Sequence, residues 1–357
     1  MTEIVLDGLT VGEERPPYVI AEAGNNHMGD LEEAKRLMEM AREAGANAIK
    51  FQKRDNATLF TKKFYNSPYN SESAYANTYG AHRDYFEFSL GQYLELKAYA
   101  DFLGITMIAT PFDLPSVDFL ENVEIPFYKV ASGSIHNPLL LKRIAATEKP
   151  IIASFGGCDW DTMEKAVHVL TERGSPLVML HCTASYPAKP EYLGLERIAI
   201  MRFEYPDQVI GFSDHDDGIA MAVAAYTLGA RVFEKHITMS HTNRGTDHAF
   251  SLEYFGLRSY VANLHKAHEA IKVLNHPLEI EKGPIYKMGY AVYPAAALKA
   301  GTIILPDDLV IKSPMEGLEG WEYNKIVGMT LARDVEKEQP LSWDDFVVEK
   351  EEPLEYQ

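Results

Sequence analysis

The chain has 357 residues, a formal net charge of −18 and 46% hydrophobic residues, enough for a large core. That acidity, with no basic run longer than Lys62-Lys63, argues against a nucleic-acid partner. Two cysteines, Cys158 and Cys182, exclude a disulfide framework. Neither a leader-like segment nor an apolar run of about 20 residues occurs, so a soluble cytoplasmic protein is expected.

Taken in order, residues 18–21 form an apolar run ending in Glu22, followed by the turn Gly24-Asn-Asn-His27. Asp30 and Glu33 have capping-box spacing, Leu31, Ala34, Leu37, Met38 and Ala41 recur at helical spacing, and Gly45 closes the helix. Residues 48–52 then read as a strand, completing a β-α-β unit. The rhythm repeats at 105–109, 127–130, 150–153, 177–181, 209–213 and 232–236, with helices at 90–103, 139–147, 161–173, 219–228 and 254–273. Eight such alternations predict a (β/α)8 TIM barrel closing near Leu274. A doubly wound sheet fits less well, because polar residues end nearly every strand rather than clustering at one switch point.

Residues 60–88 interrupt the pattern with Tyr, Asn and Ser, and read as a substrate-facing lid. After a barrel domain at 1–275, residues 276–285 carry Pro and Gly punctuation and are predicted to be a linker. Short, turn-separated segments in 286–357 predict a small β-rich module for capping, binding or dimerisation.

The chemistry gathers at the strand ends. His215 and His236 close adjacent predicted strands, with Asp214 and Glu234 beside them, which suggests a divalent metal site. Lys50 and Lys129 sit in apolar strands, where a bare ammonium is expensive and needs an anion. That anion is either internal (Glu22 or Glu234) or a bound phosphate or carboxylate facing Ser132, Ser154 and Ser213; the second is preferred. Glu22 and Glu234 are candidate acid/base groups, and Gln52, Thr110, Tyr186 and Asp247 complete the mouth.

Together, Ala21-Glu-Ala-Gly-Asn-Asn-His27, Lys50-Phe-Gln52, Ala109-Thr-Pro-Phe112, Tyr128-Lys-Val-Ala-Ser-Gly133, His181-Cys-Thr-Ala-Ser-Tyr-Pro187, Gly211-Phe-Ser-Asp-His215 and Glu234-Lys-His236 resemble the sialic acid synthase family. The tail resembles that family's antifreeze-like (SAF) module. The resemblance implies condensation of phosphoenolpyruvate with N-acetylmannosamine, its 6-phosphate or a related mannose-type sugar, giving a nonulosonate and phosphate. In that reaction C3 of phosphoenolpyruvate attacks the open-chain aldehyde, water adds at C2, and phosphate leaves by C–O cleavage.

Carried over, Lys50, Lys129, Ser132, Ser154 and Ser213 would bind phosphoenolpyruvate. His215 and His236 would hold the metal, manganese first, with magnesium or cobalt as substitutes. Glu22, Glu234 and Asp247 would serve proton transfer, and Gln52, Thr110, Phe112 and Tyr186 the sugar. A domain-swapped homodimer is implied, in which each module caps the partner's barrel. Two departures concern the sugar: Lys312-Ser-Pro314 stands where members taking free N-acetylmannosamine have Lys-Arg-Pro, and Ala184 stands where they have asparagine. The stretch Thr78-Tyr-Gly-Ala-His-Arg83 with Glu87-Phe-Ser89 resembles the animal-type synthases that use the 6-phosphate, so His82 and Arg83 are candidate phosphate contacts. Rival readings are another phosphoenolpyruvate-dependent sugar keto-acid synthase and a non-catalytic carbohydrate-binding barrel.

Overall fold

A computed structural model describes residues 2–274, 276 and 278–347. Asn275, Pro277 and the predicted tail beyond Val347 lie outside the described residues. The chain divides into two units, Met1–Lys272 and Val273–Gln357.

The first unit opens with a hairpin, β1 (Glu3–Leu6) and β2 (Leu9–Gly12), paired antiparallel. Eight parallel strands follow: β3 (Tyr18–Gly24), β4 (Ala48–Lys53), β5 (Thr106–Pro111), β6 (Tyr128–Val130), β7 (Ile151–Ser154), β8 (Leu177–Cys182), β9 (Val209–Asp214) and β10 (Val232–His236). Their order, β5-β4-β3-β10-β9-β8-β7-β6, brings β5 and β6 side by side and closes the expected barrel. Between and after them run the helices, among them Leu31–Ala44, Leu90–Leu103, Trp160–Thr171 and, last, Tyr254–Ala270. Asp30 caps the first of these by accepting from the Glu33 amide, and Gly45 ends it at φ 92°. A left-handed residue there satisfies the last carbonyls at no Cβ cost.

Strand periodicity of two sorts the side chains. Val19, Ala21, Ile49 and Phe51 face outward into the large core between sheet and helices. Tyr18, Ile20, Ala48, Ile108, Phe127, Ile152, Val178, Val209 and Val232 face inward and pack with Ile4, Leu6 and Val11 of the hairpin, which plugs the barrel floor. One step further along the same inward rows the side chains become Glu22, Lys50, Thr110, Lys129, Ser154 and Glu234, and two steps past Val209 stands Ser213. The barrel interior is thus apolar below and ionisable above.

The 60–88 region is more ordered than a loop: short helices span Lys62–Tyr65 and Tyr79–Asp84, just after a third at Asn56–Leu59, and each is capped by a side chain. In the second unit, β11 (Ala291–Pro294) pairs antiparallel with β12 (Leu309–Lys312). Single bridges Leu298–Val335, Ile303–Thr330 and Leu331–Phe346 extend it around Val292, Ile304, Ile326 and Leu331. The stretch read as linker carries a helix, Lys282–Met288, because Gly283-Pro284 falls in its first turn, where proline loses no needed N–H. Among the described residues, no helix is long and apolar enough to cross a membrane.

Candidate active site

The C-terminal ends of the barrel strands enclose a cavity of about 420 Å³, the size of a small-ligand site. Glu22, Lys50, Gln52, Thr110, Phe112, Lys129, Ser132, Ser154, Tyr186, Ser213, His215, Glu234, His236 and Asp247 all line it, as does Arg83. Of the residues singled out in the sequence, His82 and Asp214 do not, and His82 is buried in the wall behind it. Its ring is buried among Tyr69, Tyr79 and Phe86, and Nδ1 accepts from the Tyr75 amide at 3.1 Å. Burial, with Arg83 and Arg244 nearby, lowers its pKa to about 4. The helix period explains the split, since consecutive residues point about 100° apart.

Asp214 requires a correction. It sits beside His215 in sequence but on the opposite face of β9, fully buried, 3.2 Å from Lys235 Nζ, which also lies 2.8 Å from Asp216. Period-two alternation puts His215 in the cavity and Asp214 behind it. Lys235 and the two aspartates form an ion cluster between strand and helix layers.

Inside the cavity the charges interlock. Lys50 Nζ lies 2.6 Å from Glu22, 3.7 Å from Glu234 and 3.1 Å from Thr110 Oγ1. Lys129 Nζ lies 3.5 Å from Glu234 and donates to Ser154 Oγ at 2.7 Å. The internal counter-anion therefore exists, and a bound anion would join it rather than replace it. Glu22 also accepts from Gln52 Nε2 at 2.7 Å. Ser213 Oγ is 3.4 Å from Glu234, and the Gly156 amide donates to Ser132 Oγ at 2.9 Å.

The two carboxyls are driven apart electrostatically. Burial raises the Glu22 pKa, and the charge on Glu234 adds to it, against the pull of Lys50. Burial acts the same way on Glu234, but Lys129, Lys50 and the two imidazoles outweigh it and hold it down to about 2. Burial lowers Lys129, with Lys50 repelling it. Burial also disfavours the charge on Lys50, yet Glu22 and Glu234 raise its pKa overall. Carboxyl pairs split in this way divide proton-transfer and charge-holding roles.

His215 and His236 stand with ring centroids 5.4 Å apart. His215 Nδ1 lies 3.0 Å from the Thr183 carbonyl, a contact that orients its other nitrogen. His236 Nδ1 is buried with no hydrogen-bond partner among the described residues and lies 4.0 Å from Asp247 Oδ2. Burial keeps that ring neutral, its pKa lowered to about 3. Among the described residues, no group of three or more His, Cys, Asp and Glu has metal-holding geometry. Two facing imidazoles, an orphaned ring nitrogen and a nearby carboxylate fit a divalent ion that takes its other ligands from water or substrate.

Arg54 also lines the cavity and escaped sequence reasoning. Its guanidinium stacks 3.7 Å over Phe112 and donates to Gln52 Oε1 at 2.6 Å. Counting by twos from Lys50 through Gln52 would have found it. Burial, then repulsion from Arg83, lowers its pKa to about 10.

The NeuB family model matches residues 37–275 and the SAF domain model residues 291–347. The human N-acetylneuraminate-9-phosphate synthase is 36% identical over 96% of this chain and 94% of its own. The N,N'-diacetyllegionaminic acid synthase of Campylobacter jejuni is 32% identical over 90% and 97%. The crystal structure of N-acetylneuraminic acid (sialic acid) synthetase from Leptospira borgpetersenii, in complex with citrate, superposes with a TM-score of 0.68 at 32% identity, covering 80% of this chain and 95% of that one. An ionisable cavity at the mouth of an eight-stranded barrel and these matches agree: the chain belongs to the NeuB family of sialic acid and other nonulosonate synthases, with a C-terminal SAF domain.

Proposed function

We propose that this chain condenses phosphoenolpyruvate with the 6-phosphate of N-acetylmannosamine, or a close mannose-type relative, to give a nonulosonate 9-phosphate and inorganic phosphate. The observation that carries the phosphorylated acceptor is a second cationic pole in the cavity. Arg54 and Arg83 both line it, and their hydrogen bonds go to neutral oxygens, Gln52 Oε1 at 2.6 Å and Tyr79 Oη at 3.2 Å. A guanidinium that is depressed by its neighbour, as Arg54 is by Arg83, gains most from a shared dianion. The human relative's 9-phosphate product is consistent with this reading.

Lys50 and Lys129, with Ser132, Ser154 and Ser213, hold the phosphoenolpyruvate anion at the first pole. Glu234, ionised throughout, keeps both ammonium groups charged and in place. Glu22, with its raised pKa, is the carboxyl suited to exchange a proton as the aldehyde becomes a hydroxyl and water adds at C2. Gln52, Thr110, Phe112, Tyr186 and Asp247 wall the sugar side. His215 and His236 would hold a divalent metal, manganese by the family resemblance, which when bound polarises the aldehyde oxygen. The small unit is proposed to cap the barrel of a second copy. A chain truncated near His276 that stayed fully active as a monomer would contradict that role.

The test is phosphate release with manganese, phosphoenolpyruvate and, in turn, N-acetylmannosamine, its 6-phosphate, mannose and mannose 6-phosphate, with the keto acid identified by mass. The N-acetyl 6-phosphate should react fastest. Faster reaction of the free sugar would reject the phosphorylated acceptor, and silence with all four would reject the mannose-type substrate class.

A further inference from the structure

We propose that Arg244 is a positioning residue, latching the 66–78 segment onto the loop that carries Asp247 and so setting the sugar-side wall of the cavity. The two pieces are some 170 positions apart in sequence, yet they exchange contacts in both directions. Arg244 Nε donates to the Glu72 carbonyl at 2.9 Å, and its terminal nitrogen donates to the Ala74 carbonyl. The guanidinium lies 5.0 Å over the Tyr75 ring. Tyr75 Oη returns a hydrogen bond to the Arg244 carbonyl at 2.7 Å.

Each side of this latch leads to a cavity wall. The Tyr75 amide donates to His82 Nδ1 at 3.1 Å, and its ring stacks on Tyr85 at 4.6 Å and meets Phe86 edge-on at 5.0 Å. Those residues belong to or follow the helix Tyr79–Asp84, which presents Arg83 to the cavity. This gives buried His82 its place: it anchors the latch. On the other side, Arg244 precedes Thr246 and Asp247, which line the cavity, and His248, whose Nδ1 lies 2.7 Å from Thr238 Oγ1 just past β10. Arg244 is thus the shared fastening of the Arg83 and Asp247 walls.

Reaching two carbonyls across an aromatic face takes a planar fork of N–H donors, which lysine lacks. Arg244 and Glu72 meet at the exposed surface, so their hydrogen bonds contribute little to global stability and act on local closure. The inference rests on the proposed substrate reading, in which Arg83 and Asp247 face the sugar.

The experiment compares R244K, R244A and Y75F with the full chain. With manganese and the preferred sugar, KM for the sugar should rise about tenfold in R244A and R244K and less in Y75F, while KM for phosphoenolpyruvate stays within about twofold. Without any substrate, chymotrypsin should cut the 66–78 segment several-fold faster in the arginine variants. Unchanged sugar KM, with or without faster cleavage, would overturn the positioning role, as would a parallel rise in KM for phosphoenolpyruvate. Wild-type silence with every sugar would sink the substrate reading instead. The cleavage comparison would still judge the latch, and equal cleavage rates would reject it.

Discussion

Lys50 Nζ stands 2.6 Å from Glu22 but 3.7 Å from Glu234, so one ammonium serves two carboxyls unequally. Lys129 adds its charge on the Glu234 side at 3.5 Å. Glu234 is therefore the permanent anion, and Glu22 is left with a pKa above the ordinary carboxylate value. Replacing Glu22 by glutamine keeps the shape and removes the titrating group. The expected outcome is a fall in kcat of about 10²- to 10⁴-fold, with phosphoenolpyruvate binding changed only a few-fold. Calorimetry with phosphoenolpyruvate beside steady-state kinetics checks both halves. A Glu22→Gln variant with near-normal kcat would remove Glu22 from proton transfer.

The His236 ring, neutral and with Nδ1 unpartnered, predicts a metal dependence that can be read without turnover. Equilibrium dialysis against manganese should show weak or absent binding by H215N and H236N. D247N should keep binding but lose about ten- to a hundredfold in affinity, as expected of a group acting behind the ligands. Chelation should stop phosphate release, and manganese should restore it. Wild-type affinity in H236N would place the ion elsewhere.

The site was legible because strand ends announce themselves. Apolar runs stop at Glu22, Lys50 and His236, and such a pattern has few explanations in a parallel barrel. Which side chains share a face was less legible. Asp214 and His215 are neighbours in sequence but belong to different layers, and only the period-two row separates them. The floor hairpin carried its own signal, unread: Asp7-Gly8 at φ 47° and 79° between Val5-Leu6 and Leu9-Thr10 is a two-residue hairpin turn. The helices of the 56–84 region are four to six residues long, too short for any periodicity to register; only their caps Asp55, Thr61 and Thr78 were on view. Arg244 was hidden because its partners are backbone carbonyls, which have no sequence identity.

A pH effect on stability follows from His27, which is buried, stacks on Phe88 at 4.4 Å and accepts from the Gly29 amide at 3.1 Å. Burial lowers its pKa to about 3. Between that value and about 6.5 the unfolded chain carries a proton on His27 that the folded chain does not. Stability therefore rises with pH across this window, and it is lost on acidification at up to about 1.4 kcal/mol per pH unit from this group. A His27→Gln variant, less stable at neutral pH, should show a shallower decline between pH 6 and 4 in urea melts. An unchanged slope would mean that His27 is not the group responsible.

Gly211 in β9 decides a sign. By backbone propensity alone, alanine in a strand gains about 0.5–1 kcal/mol over glycine. Here a Cβ would come within 2.2 Å of the Val232 carbonyl oxygen and 2.4 Å of Leu180 Cδ2. The first of these is backbone of the paired strand and cannot rotate away, since Val232 is in register with Gly211 itself. Overpacking of this kind costs about 1–3 kcal/mol, so Gly211→Ala should lower Tm by a few degrees. The relief available is to part β9 from β10, whose ends carry Ser213 and His215 on one side and Glu234 and His236 on the other. Manganese affinity should then fall together with Tm. Gly91, at the start of the helix Leu90–Leu103 with nothing within 4 Å of its would-be Cβ, supplies the control. Alanine there should raise stability by up to about 1 kcal/mol and leave metal binding alone. If Gly211→Ala instead raised Tm, the close approach of the two strands would be wrong, and with it the spacing of the histidines.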